Sequence, residues 1–191
     1  MKLFFIPTKI ILAIIWSFNV WTISAETPES SATSIVSVAA ASDLKFALDE
    51  LIEAFQQQNP KIAIKASYAS SGTLFAQLKH KAPFDIFLSA DRSYPEKLLD
   101  QGLAIKGSEF IYAIGRIVIW TKHGSGFDVQ KQQINIFQDP KVQKIAIANP
   151  KHAPYGRVAK QALEHYKIYD QLSSKLVFGE NIAQTAQFVE S

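Results

Sequence analysis

Ile35-Val36-Ser37-Val38-Ala39-Ala40, running through Ala41-Ser42 into Asp43-Leu44-Lys45-Phe46-Ala47-Leu48-Asp49-Glu50-Leu51-Ile52-Glu53-Ala54-Phe55, is the stretch that decides the fold. Its first six residues are β-branched and small apolar residues with one serine, the composition of a strand covered on both faces of a parallel sheet. After Ala41-Ser42 the period changes. Leu44, Leu48, Leu51, Ile52 and Phe55 recur at helical spacing, Ser42 is placed to cap the first turn, and Asn59-Pro60 ends the element.

The same unit returns further along. Ile62 to Tyr68 reads as a strand, Ala69-Ser70-Ser71-Gly72-Thr73 as a junction, and Leu74, Phe75 and Leu78 as the start of a short helix. Phe84 to Leu88 predicts a third strand, followed by Ser89-Ala90-Asp91 and a helix around Pro95 to Leu99 that stops near Gly102. Tyr112 to Trp120 is the longest strand candidate, and the turn-rich Lys122-His123-Gly124-Ser125-Gly126 after it suggests a crossing between domains. A second series then begins: strand Ile145 to Ala148, loop to Gly156, helix Arg157 to about Tyr166, strand Lys175 to Phe178, and a helix carrying Ile182, Ala186 and Val189. Strands alternating with helices at this spacing mean an α/β fold with parallel sheets. Phe46, Phe55, Phe75, Phe87 and Phe137 fall on apolar faces and are expected in the core.

The N-terminal residues belong to a different class. Met1 to Ala25 carries Lys2 and Lys9, no acid, and the apolar run Ile10 to Trp16, then Ser24-Ala25 before a polar stretch, which is the layout of a Sec-type signal peptide cut after Ala25. Ser17 and Asn19 interrupt the apolar part well short of the roughly 20 residues of a bilayer span, and Ile23 leaves the exact cut open. Residues 26–34 form a polar leader with little to bury.

Charge has to be read after that division. The whole chain of 191 residues has 20 Lys plus Arg against 17 Asp plus Glu, a formal +3. Removing residues 1–25 takes away two lysines and no acids, so 18 basic against 17 acidic side chains remain, a formal +1 on 166 residues. A strongly basic surface for nucleic acid is thereby excluded, and Lys141, Lys144 and Lys151 show no interleaved aromatic stacking pattern. The absence of Cys excludes disulfides and a lipid-bearing cysteine near the cut, which points to a soluble exported protein of the bacterial periplasm.

Four places share one layout in which a buried strand ends, small or polar residues follow, and a helix begins: Ala41-Ser42-Asp43, Ser70-Ser71-Gly72, Pro154-Tyr155-Gly156 and Asn181-Ile182. In open parallel α/β sheets such junctions lie at the carboxyl ends of the strands, where ligands bind. Each helix start offers N–H groups and the positive end of a dipole to an anion. Taken singly, each is also an ordinary helix cap. Two come from each half of the chain, so two lobes could close them around one small anion.

The runs Val38 to Leu44, Tyr68 to Leu74, Ala82 to Asp91, Tyr112 to Arg116, Ile147 to Gly156 and Gly179 to Ile182 together resemble, in order, the molybdate-binding proteins of ABC importers, across residues 35–190. The resemblance implies a two-lobed periplasmic binding protein fold of type II-like architecture, with parallel-sheet lobes at 35–111 and 112–191 and a ligand cleft between them. It implies molybdate or tungstate held as an oxyanion and no cofactor. It also implies a monomer that passes the ion to an inner-membrane permease with its ATPase. Family ligands map onto Ser42 and Ser71 through hydroxyl and N–H, and onto Asp43, Tyr155 and Ile182 through N–H alone, with the Asp43 carboxylate turned away to favour its helix start. The family continues past the equivalent of Val189-Glu190-Ser191, so the C-terminal part of each lobe is expected to be missing from these 191 residues.

Other functions fit less of the sequence. Ser42-Asp43-Leu44-Lys45 matches the Ser-x-x-Lys of penicillin-recognising enzymes, but the Ser-x-Asn or Tyr-x-Asn triplet they need is lacking between Lys45 and Lys122, so no enzyme is expected. His80, His123, His152 and His165 lack metal-site spacing, and His152 reads as a solvated loop residue. A binder of sulfate, thiosulfate or phosphate uses the same helix-end physics and stays open as the closer alternative.

Overall fold

The computed structural model describes residues 34–191; the segment read as a signal peptide and almost all of the expected polar leader lie outside the described residues. Strand β1 (Ser34–Ala41) is the centre of the first sheet, with β2 (Ile62–Ala69) and β3 (Ile86–Leu88) parallel on either side in the order β2-β1-β3. Ala40 faces Tyr68 on one side and Leu88 on the other. This central position explains the β1 composition, since Val38, Ala39, Ala40 and Ala41 are all buried and small residues admit helices close to the sheet.

Helices α1 (Lys45–Gln58), α2 (Ser71–Lys79) and α3 (Ser93–Asp100) connect and cover these strands. Leu74, Tyr94 and Leu98 join the β1 residues in the core, and the Phe75 and Tyr94 rings pack 5.3 Å apart. Gly102 ends α3 with φ of 67°, the left-handed conformation that glycine adopts at little cost.

The second sheet is smaller. β4 (Ile145–Ala148) and β5 (Leu176–Gly179) pair in parallel, flanked by α5 (Pro154–His165) and α7 (Ile182–Glu190), with short helices α4 (Val129–Gln132) and α6 (Tyr169–Leu172) beside them. Ile145, Ile147, Leu163, Ile168 and Leu172 form its core, and Phe137 and Leu176 pack against it. Burying each such side chain contributes about 1.5–3 kcal/mol.

Three sequence expectations are corrected. Residues 112–120 are not a strand: no strand pairs with them among the described residues, and Ile114 and Val118 are 87% and 83% exposed. An apolar run gains strand structure only by pairing its N–H and C=O groups, and this run has no such partner there. Phe46 and Phe55 are exposed rather than core, the former at 79%, because α1 turns Leu48 and Ile52 toward the sheet and presents Phe46, Leu51 and Phe55 outward. Ser42 does not cap α1; it opens a 3-10 turn, Ser42–Leu44, that precedes the helix, so its hydroxyl makes no capping bond. Among the described residues, no helix is long and apolar enough to cross a membrane.

Candidate functional site

The four junctions converge. Ser42, Asp43, Ser70, Ser71, Tyr155 and Ile182 line one small pocket between the two sheets, about 200 Å³ with its mouth included. All five residues singled out in the sequence are therefore brought together, three from the first sheet and two from the second.

Each junction is held by its own local chemistry. Ser70 is the N-cap of α2, its Oγ accepting from the Thr73 N–H at 3.3 Å, so Ser71 sits at the first helical position, fully buried. The Ala90 N–H donates to Ser71 Oγ at 3.0 Å, which occupies one lone pair and leaves the hydroxyl proton available to the pocket. Across the pocket, α5 begins with Pro154, whose lack of an N–H costs nothing at that position, and Tyr155 follows. Gly156 lets this helix lie on the end of β4: a Cβ there would stand 1.9 Å from the Ala148 carbonyl oxygen. Asn181 caps α7, its Oδ1 accepting from the Gln184 N–H at 3.0 Å, and places Ile182 at the helix start. First-turn N–H groups have no acceptor within their own helix, so Ser71, Tyr155 and Ile182 aim donors at the pocket end of three dipoles.

No Lys, Arg or His lines this pocket among the described residues. What it offers an anion is oriented neutral donors, which suit a small anion held at short range and lack the loose geometry of long basic side chains. Asp43 is the exception in sign. Its side chain, expected to serve only the helix start, instead reaches across the cleft and accepts from the Tyr155 hydroxyl at 3.1 Å. Burial raises the Asp43 carboxyl above the usual carboxylate range, and the Tyr155 hydrogen bond opposes that rise. Burial, with the Asp43 charge second, pushes Tyr155 and Tyr112 up to about 12, so both phenols are donors at neutral pH.

A larger cavity of about 580 Å³ adjoins the pocket, sharing Asp43, Ala90, Pro154 and Tyr155 and adding Tyr112 and Ile114. Tyr112 is fixed there by its hydroxyl, which donates to the Ser89 carbonyl at 2.8 Å.

The sequence reading missed the contacts that join the lobes. Arg157 on α5 pairs with Asp91 after β3. His152 is not a solvated loop residue: its carbonyl accepts the Gly72 N–H at 3.0 Å and its Nδ1 lies 3.0 Å from Ser70 Oγ. Only tertiary structure places these residues together, although the glycine at 72 was a signal. A Cβ there would meet the His152 carbonyl oxygen at 2.5 Å.

Two parallel-sheet α/β lobes with helix N-termini facing a shared pocket define a two-lobed binding protein. The comparisons agree with that class. The profile described as "Bacterial extracellular solute-binding protein" matches residues 36–191, and the chain belongs to that family. The "Molybdate-binding protein ModA" of Rhodobacter capsulatus is 36% identical over 122 residues, 64% of this chain and 47% of that protein. The protein of the same name from Azotobacter vinelandii is 35% identical over 154 residues, 81% of this chain and 60% of that one. The solved structure of the Azotobacter vinelandii periplasmic molybdate-binding protein superposes with a TM-score of 0.74 at 34% identity, covering 81% of this chain and 66% of that one. The chain thus spans about half to three fifths of the length of these curated relatives.

Proposed function

We propose that the chain is the solute-binding component of an ABC importer and captures molybdate or tungstate as a tetrahedral oxyanion. The observation that carries this reading is the convergence of Ser42, Asp43, Ser71, Tyr155 and Ile182 on one pocket that is free of basic side chains among the described residues. The hydroxyls of Ser42 and Ser71 and the N–H groups of all five would donate to the oxyanion. Hydrogen bonds to a charged acceptor are worth about 1.5–3 kcal/mol each, so a few converging donors are enough for tight binding. The Asp43 carboxylate is a poor neighbour for a dianion, and its bond to Tyr155 draws it toward the larger cavity.

In this reading residues 35–111 and 112–191 are the two lobes, the protein acts as a monomer in the periplasm without a cofactor, and it presents the closed lobes to a membrane permease and its ATPase. It is a carrier and not an enzyme; the names of its relatives support this. Isothermal titration with molybdate, tungstate, sulfate and phosphate tests the reading. Tight molybdate or tungstate binding with little sulfate heat is expected, because the smaller sulfate does not reach every donor at once. Tight sulfate or phosphate binding with no molybdate heat would replace it with a sibling oxyanion carrier.

A further inference from the structure

His152, on the loop between β4 and α5, touches the Ser70-Ser71-Gly72 junction twice and also the residue just before the Asn181-Ile182 junction. Its carbonyl accepts the Gly72 N–H at 3.0 Å, Nδ1 lies 3.0 Å from Ser70 Oγ, and Nε2 lies 3.4 Å from Glu180 Oε2. Gly72 and Ser70 flank Ser71 at the start of α2, and Glu180 precedes the Asn181 cap of α7. The ring is three-quarters shielded from solvent, so its bond to Ser70 is made in a partly dry setting where it counts for more than on an open surface. Nδ1 shares a hydrogen bond with the Ser70 hydroxyl, and Nε2 lies beside the Glu180 carboxylate. Backbone and side chain of one residue thus bind opposite lobes together beside the pocket.

We infer that His152 is a positioning residue that clamps the two lobes, fixing Ser71 and the α2 N-terminus against Tyr155 and Ile182. The inference rests on the oxyanion reading of the pocket, since what the clamp controls is release of the anion. The ring does not touch the anion itself. Its loss therefore leaves the choice among oxyanions unchanged and speeds dissociation.

The test is release of isotopically labelled molybdate from the full chain into excess unlabelled molybdate. His152→Leu keeps bulk without ring nitrogens, and His152→Asn keeps a polar group in place of Nδ1. With the Ser70 hydrogen bond and the Glu180 contact both lost, H152L is expected to release molybdate about tenfold faster, while H152N stays within about threefold of the parent. Equal release from H152L and the parent overturns the clamp, and so does equally fast release from H152L and H152N. Should H152L not fold by circular dichroism, His152→Phe takes its place in each comparison. A parent chain that binds no molybdate counts against the oxyanion reading instead. The clamp is then decided by hydrogen exchange at the Gly72 amide: protection lost in H152L supports it, and protection retained overturns it.

Discussion

β1 and residues 112–120 are both apolar runs of strand-like composition, and they end in opposite states. Strand β1 lies between two parallel partners with Ala39 and Ala40 completely buried, whereas 112–120 is unpaired among the described residues and largely exposed. Apolar composition states a demand for cover; hydrogen-bonded neighbours decide whether it is met. The difference also separates the parts of the chain that build the pocket from the part that merely borders it, since every junction follows a paired strand and Tyr112 reaches its cavity from a run that forms no strand.

The largest effect that would sharpen this contrast is expected at a junction. Gly156→Ala forces a methyl into the Ala148 carbonyl and should destabilise the second lobe by about 3 kcal/mol, read as a fall in the urea midpoint; a change below about 0.5 kcal/mol would mean that α5 can slide off β4. Next comes a matched pair. Ala40→Leu overpacks the covered strand and should cost about 1–3 kcal/mol, while Ile114→Ser in the exposed run should change stability by less than about 0.5 kcal/mol and reduce binding of an apolar dye. Equal costs at the two positions would break the comparison.

The smallest effect concerns pH. A carboxyl whose folded pKa is raised holds its proton more tightly in the folded than in the unfolded state, so it adds stability in acid that is lost as pH climbs from the ordinary carboxylate range through the raised value. Asp43→Asn cannot ionise and should melt above the parent at pH 7, with the gap closing by about pH 3. A gap that is constant from pH 3 to 7 would show that burial does not perturb Asp43.

Much of this architecture can be read from the residues. The switch from an apolar strand run to helical period after Ser42, the small-residue junctions and the glycine at 156 are local signals, and local chemistry produces them. What could not be read is relational. Whether Phe46 or Ile52 faces the sheet depends on how α1 leaves its 3-10 turn, and whether 112–120 is a strand depends on chain elsewhere. The interlobe pairs Arg157–Asp91, Tyr155–Asp43 and His152–Ser70 join residues far apart in sequence, with no pattern at either end to announce the other.

The contact at Gly72 has a consequence for measurement at the molecular scale. Because two main chains meet there, N–H to carbonyl at 3.0 Å, the approach of the lobes is limited by backbone atoms rather than by rotatable side chains. The spacing of the two lobes beside the pocket is then set by backbone atoms at that point. A side chain at position 72 would reset that spacing to a wider aperture without altering one donor in the pocket.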